Sequence, residues 1–199
     1  DFHIDALRLD AIHEIKDDAA AAATPQRHVL AELSDAVAAL SIELGRPLSL
    51  VAEADLNDVG VITPTSEEPP AKAPSLGMTA QWADDVHHAL HARLTGEDQG
   101  YYGDFAEVGA WAKAYGRAFL HNGTWSTFRE RNWGAPVPED TDPRRFVVFG
   151  SDHDQVGNRA VGDRPSAILD DAALAATAAL VLLSPYTPML FMGEEWGTR

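Results

Sequence analysis

The sequence has no cysteine, no long apolar run and little positive charge. Without cysteine there are no disulfides and no thiolate metal ligands. No apolar stretch approaches the roughly 18 residues that a membrane-spanning helix needs. Lys and Arg number 15 against 31 Asp and Glu in 199 residues, a net charge of −16. A surface this acidic disfavours phosphate backbones and anionic lipid, so neither nucleic acid nor membrane is expected as a partner. What is present is ordinary for a globular domain: 45% of residues are hydrophobic, well outside the disordered range. The chain starts at Asp1 beside one apolar stretch and stops at Arg199 soon after another. A fragment is therefore expected.

Strand and helix signals alternate. Phe2 to Leu9 reads as a strand that ends at Asp10. An alanine run, Ala19–Ala23, follows, and Thr24-Pro25 then offers a helix N-cap and a first-turn proline. Leu30, Leu33, Val37, Leu40 and Leu44 recur at helical spacing until Gly45 and Pro47. Leu48–Ala52 is a short apolar strand running into Glu53. Residues 60–77 hold four prolines and no helical period, which predicts a long exposed loop. A short strand at Thr79–Trp82 and a helix through Val86, Leu90 and Leu94 come next. A second helix is expected over Phe105–Phe119, and loop over 123–143. Arg145–Phe149 is a clear strand, Ala172–Leu183 a helix apolar enough to be buried, and Met189–Met192 a last strand. About five strands joined by helices predict an α/β fold with a parallel sheet. A closed (β/α)8 TIM barrel takes about 250 residues. Residues 1–199 thus read as the later part of such a barrel, about its fourth to eighth strands, with the Pro-rich loop 60–77 inside it.

The strand ends carry the chemistry. Asp10, Glu53, Asp154, Glu194 and Glu195 each follow a strand, and the C-terminal strand ends of a β/α barrel meet on one rim. Carboxylates gathered there repel one another, and that cost suggests a metal site or acid/base catalysis. Arg8 and Asp10 are two apart on a strand and share a face. A guanidinium beside Asp10 keeps it ionised, as a nucleophile must be. Two carboxyls in unlike environments are the working parts of glycoside hydrolysis. Two other uses stay open at this point. Each acid, taken singly, can serve as a helix N-cap. Asp152, His153 and Asp154, or His87 and His91 on one helix face, could also bind Zn²⁺, although no HExxH pattern is present.

Three segments then bring a family into view. DALRLDAIH at 5–13, VAEADLND at 51–58 and SDHDQVGN at 151–158 resemble signature segments of the α-amylase superfamily of glycoside hydrolases. The runs QWADDVHHALHARLTGE at 81–97, GYYGDF at 100–105, DQVGNRAVGDR at 154–164 and SPYTPMLFMGEEW at 184–196 narrow the resemblance to the maltooligosyltrehalose trehalohydrolase family within it. Asp152 stands where asparagine is usual there, and Ala6 where glycine is usual. The resemblance implies retaining hydrolysis of the α-1,4 bond next to a terminal trehalose, with no cofactor, no metal and a cytoplasmic location. By position it makes Asp10 the nucleophile, Glu53 the general acid/base and Asp154 the stabiliser of the transition state. Arg8, His13 and His153 would contact substrate or position the nucleophile. Trp82, Asp84, Asp85, His87 and Glu195 are further candidates for the cleft. Trp82, Tyr101, Tyr102, Trp125, Trp133 and Trp196 are candidate sugar platforms, whereas Phe105, Trp111 and Phe119 read as core by their spacing. An amylolytic or branching enzyme, and an inactive glucan-binding fragment, are the alternatives.

Overall fold

The computed structural model describes residues 3–17, 27–70 and 72–198. They fall into two compact units, Asp1–Trp82 with Gly134–Thr141, and Ala83–Trp133 with Asp142–Arg199. Phe2, the alanine run Ala19–Ala23 and the Thr24-Pro25 cap lie outside the described residues. Among the described residues no helix is long and apolar enough to cross a membrane.

The first unit is built on three parallel strands. β1 (Ala6–Leu9) is shorter than the apolar run that announces it, and Ile4 before it is exposed. α1 (Val29–Leu44) crosses over to β2 (Ser49–Ala52). Its N-cap is His28, whose Nδ1 accepts from the Leu30 N–H at 3.2 Å, and Gly45 closes it at φ 62°. Only the first turns of α1 are covered, through Leu30, Ala31 and Ser34, while Leu40, Ile42 and Leu44 are exposed. β2 pairs with β1 in register Leu7↔Leu50 and Leu9↔Ala52, and with β3 (Ala80–Trp82) in register Val51↔Ala80. Because all three run the same way, their C-terminal ends lie side by side.

The Pro-rich segment between β2 and β3 is not the exposed loop its composition predicts. Its middle is exposed, but Val61, Ile62, Ala73 and Leu76 are buried. Asp58 explains this. Its carboxylate, 4% exposed with its residue, accepts from the backbone of Gly60 at 2.8 Å, Lys72 at 2.9 Å and Ala73 at 3.0 Å. One side chain thus ties both ends of the segment together and satisfies three amides, those of Gly60 and Ala73 in buried residues. Gly60 is required where the two ends cross. A Cβ there would stand 2.3 Å from the Ala73 carbonyl oxygen.

In the second unit, α2 (Asp84–Thr95) and α3 (Ala110–Arg117) pack through Ala89, Ala92, Phe105, Ala110, Ala114 and Leu120. The single helix expected over Phe105–Phe119 is broken. A 3-10 turn at Asp104–Ala106 is followed by exposed Val108 and by Gly109 at φ 91°, which starts α3 afresh. The segment expected as loop holds a hairpin, β4 (Thr124–Ser126) with β5 (Arg131–Trp133), paired Trp125↔Asn132. Its strands have three residues each, too few to show an alternating pattern. β6 (Phe146–Phe149) is buried along its length and leads to the short α4 (His153–Gly157). α5 (Asp171–Leu182) returns to β7 (Thr187–Met189), parallel to β6 in register Phe149↔Met189.

Two expectations fail here. The last strand starts two residues and ends three residues before the expected Met189–Met192, because the chain turns where Glu194 accepts from the Phe191 N–H at 2.9 Å. And α5, apolar nearly all round, buries only Val181. Leu182 and Leu183 are exposed, and Leu174, Ala178, Val181 and Leu190 line an open cavity of about 440 Å³ beside it. The helix packs on β7 and on the 3-10 turn Pro165–Ala167, and its Leu180 carbonyl accepts from the Tyr115 hydroxyl at 3.0 Å, but most of its apolar side chains are only partly covered.

Candidate active site

In the first unit the predicted residues converge. Asp10 directly follows β1, Glu53 follows β2, and Trp82 closes β3. The Arg8 side chain reaches across all three. Its Nη1 donates to Asp10 Oδ1, and its Nη2 lies 3.7 Å from Glu53 Oε2. Its guanidinium carbon sits 4.4 Å from the centre of the Trp82 ring, a cation–π contact. The side chain of Asp10 is 73% exposed and that of Glu53 only 18%. Of the two carboxylates, one opens to solvent and the other is sheltered.

Glu53 is held by more than Arg8. Its Oε2 accepts from the Ala11 N–H at 2.5 Å, and its backbone bonds to Leu9 and Ile12 on either side of Asp10. Ala11 adopts φ 41° and ψ 47°, a left-handed conformation that costs a non-glycine residue about 1–2 kcal/mol. That strain turns the amide after Asp10 toward Glu53 and couples the two strand ends. His13 Nδ1 accepts from the Asp55 N–H at 3.3 Å, which leaves Nε2 to carry the ring proton. Trp82 is buried beneath Arg8.

The remaining candidates lie in the second unit. Asp152 caps α4, its Oδ1 accepting from the Gln155 N–H at 2.7 Å. Beside it, Ser151 donates to Glu194 Oε1 at 2.6 Å. The side chains of His153 and Asp154 are 53% and 67% exposed, with Nε2 and Oδ2 3.7 Å apart. Asp84 and Asp85 open α2. Asp85 is buried, and its Oδ2 accepts from the Leu120 and His121 amides at 2.7 and 3.0 Å, so that carboxylate is engaged by the protein's own backbone. Glu195 Oε2 accepts from the Gly193 N–H at 2.7 Å. Of the aromatics, Trp125 and Trp196 are exposed, Phe105 and Phe119 are core, and Trp111, Tyr101 and Tyr102 pack against the α2–α3 core.

The histidines of α2 point inward. His87 stacks on Phe149 with centroids 4.4 Å apart, and His88 lies 4.0 Å from His87 and 4.8 Å from Tyr101. Burial, reinforced by His91, pushes His87 down to about 3. Burial, His87, His91 and Arg129 hold His88 well below the usual histidine range. Both are neutral packing groups. His91 Nε2 instead donates to Glu97 Oε2 at 2.8 Å, so the i, i+4 pair His87 and His91 does not share one site. Among the described residues no three His, Asp or Glu side chains gather in a metal-binding arrangement.

Sequence reasoning missed one pair, Glu97 and Arg159. Arg159 Nη1 donates to both oxygens of Glu97, at 3.0 and 3.2 Å, and its Nε donates to Asp163 at 2.7 Å. Hydrogen bonding from His91, then from Arg159, holds the Glu97 carboxyl below its usual range. The signal lay in the two most distinctive motifs, one ending in Glu97 and the other containing Arg159, but nothing local says that they meet.

No family model matches the chain. Curated relatives do. The chain is 55% identical to the malto-oligosyltrehalose trehalohydrolase of Arthrobacter ramosus over all of its own length and 32% of that protein's. It is 50% identical to that of Mycobacterium tuberculosis (strain CDC 1551 / Oshkosh), and 42% identical to that of Saccharolobus solfataricus, over 99% of its length in both cases. It spans 32% of each of those two relatives as well. Among solved structures it matches a 1.4 Å crystal structure of a Salmonella typhimurium protein assigned to the α-amylases, with TM-score 0.81 and 38% identity. That match covers 98% of this chain and 31% of the other. Along its whole length, then, the chain is similar to a segment that makes up about a third of the length of these malto-oligosyltrehalose trehalohydrolases, the family its motifs resemble.

Proposed function

We propose that the chain carries the catalytic strands of a retaining glycoside hydrolase that cuts the α-1,4 bond next to a terminal trehalose and releases trehalose. The observation that carries this is one guanidinium, Arg8, laid across two carboxylates of unequal exposure at the ends of adjacent parallel strands. In this reading β1, β2, β3, β6 and β7 are the fourth to eighth strands of a (β/α)8 barrel, and the whole of 1–199 is its later part. The names of the relatives, all trehalohydrolases, support the choice of bond.

The chemistry follows from the environments. Asp10 is open to solvent on one side and paired with Arg8 on the other, so its free oxygen can attack an anomeric carbon. Glu53 donates a proton to the departing glycosidic oxygen as the C–O bond breaks. It then takes a proton from the water that opens the glycosyl ester on Asp10. Two displacements retain the anomeric configuration. Asp154 stabilises the oxocarbenium-like charge, and His153 hydrogen-bonds the sugar. His13, Trp82, Asp84 and Glu195 are the further candidates for substrate contact in this reading, while Asp85 acts through the Leu120–His121 backbone that it ties down. The reaction calls on no cofactor or metal, and a cytoplasmic location belongs to the same reading.

The test is product analysis with maltotriosyl trehalose, using the full-length protein that contains this chain. The parent is expected to release trehalose, and Asp10→Asn to release essentially none. Glucose or short maltooligosaccharides without trehalose would move the reading to an amylolytic enzyme. Undiminished activity in Asp10→Asn would end the assignment of the nucleophile.

A further inference from the structure

The turn that bears His153 and Asp154 cannot hold itself in place. α4 has five residues, far fewer than the dozen or so an isolated helix needs to persist. Its two functional side chains are more than half exposed, so burial does not fix them. The backbone must be fixed from outside, and the structure shows two moorings. At the N-terminal end Ser151 is bound to Glu194 and Asp152 caps the helix. At the C-terminal end the Asn158 N–H bonds to the Asp154 carbonyl at 2.9 Å, and Arg159 follows at once.

Arg159 is clamped by both oxygens of Glu97 and by Asp163. A planar guanidinium held by two carboxylates at once, Nη1 on Glu97 and Nε on Asp163, is fixed in orientation as well as in distance. Glu97 is itself placed by the end of α2. Gly96 turns the chain at φ 75°, and the Thr95 hydroxyl accepts from the Glu97 N–H at 3.2 Å. Behind it stands His91, only 3% exposed in its side chain. The contact thus runs from a buried ring on α2, through a carboxylate and a guanidinium, to the backbone that carries Asp154. A further contact runs alongside it, from the Gln155 side chain to the Tyr102 hydroxyl at 3.5 Å.

The geometry points to Glu97 as a positioning residue that, through Arg159, sets where the Asp154 carboxylate stands. This rests on the reading of Asp154 as the charge-stabilising carboxylate. It also accounts for the distinctive QWADDVHHALHARLTGE run. The inward histidines of that run build a rigid platform, and its last residue grips the Asp154 turn.

The experiment is a double-mutant cycle on kcat and KM in the full-length protein, with maltotriosyl trehalose as substrate. Glu97→Gln keeps the shape and removes the charge. It should lower kcat about tenfold or more while KM stays within about twofold, because a misplaced stabilising group acts on the transition state. In an Asp154→Asn background the same change should cost less than about twofold, since the group it positions is already gone. Arg159→Lys, which keeps the charge but loses the fork, should behave in the same way and carries the test if Glu97→Gln does not fold. Equal losses in both backgrounds, or no loss in either, would overturn the positioning role. An Asp154→Asn variant as fast as the parent would instead overturn the assignment of Asp154.

Discussion

Arg8 serves two carboxylates with one side chain, and only an arginine can do so. Its planar fork lies over Trp82 while one nitrogen faces Asp10 and another faces Glu53. A lysine ammonium is a point charge and cannot span both. Arg8→Lys is expected to lower kcat by about 100-fold, the scale of losing a positioned charge-assisted contact at a reacting centre. Steady-state kinetics on the full-length variant checks this, and a loss below about threefold would contradict it. This part of the site was legible in the sequence, because Arg8 and Asp10 share a strand face by simple alternation. The bond from the Ala11 amide to Glu53 was not, because it depends on a left-handed alanine that no local pattern announces. His87 supports a second residue-scale prediction. Its folded value of about 3 lies below the unfolded 6.5, so the unfolded chain binds the extra proton. Stability is therefore full above pH 6.5 and is lost as pH falls toward 3, at up to about 1.4 kcal/mol per pH unit for this one group. Urea unfolding at pH 7 and pH 5 measures the slope, and His87→Phe, which keeps a ring against Phe149, should flatten it by about one proton.

At the scale of elements, legibility depended on length and on where the partners lie. α1 and α2 were readable because apolar positions recur at helical spacing and a glycine stops each one. β2 and β6 were readable because they are continuous apolar runs. The hairpin β4–β5 was not, with three residues to a strand. The segment 60–77 was misread for a different reason. Its prolines signal loop correctly, but the burial of its ends is imposed by Asp58, whose three backbone partners are as far as 15 residues away. Gly60 sits at the crossing. Its replacement by alanine puts a methyl group 2.3 Å from a carbonyl oxygen that is itself held by the same tie. Backbone has to move, and Gly60→Ala should cost about 3 kcal/mol, at the upper end of overpacking changes. Chemical denaturation would show a lower midpoint at unchanged slope. A midpoint equal to the parent's would mean that the segment yields freely and that Asp58 does not hold it rigid.

The whole molecule sets charge against exposed apolar surface. The chain carries −16, yet Ile42, Leu182, Leu183, Met192 and Trp196 are all exposed, Leu183 at 82% and Trp196 at 73%. The cavity beside α5 adds Leu174 and Leu190 to that surface. Apolar area of this kind favours association at about 25 cal/mol per Å² covered. The like charge opposes it, but only over the screening length. That length is about 10 Å at 0.1 M salt and about 3 Å at 1 M, shorter than the separation of most surface charges. A protein of just these 199 residues should therefore stay monomeric at low ionic strength, bind a hydrophobic dye, and associate as salt rises toward about 1 M. Light scattering across a salt series tests this directly. Leu183→Lys and Trp196→Lys should each shift the onset of association to higher salt, because each removes exposed apolar area. A chain that remains monomeric at high salt and binds no dye would show that these side chains find cover within the chain itself. The exposure of α5 would then not be the property that governs its behaviour in solution.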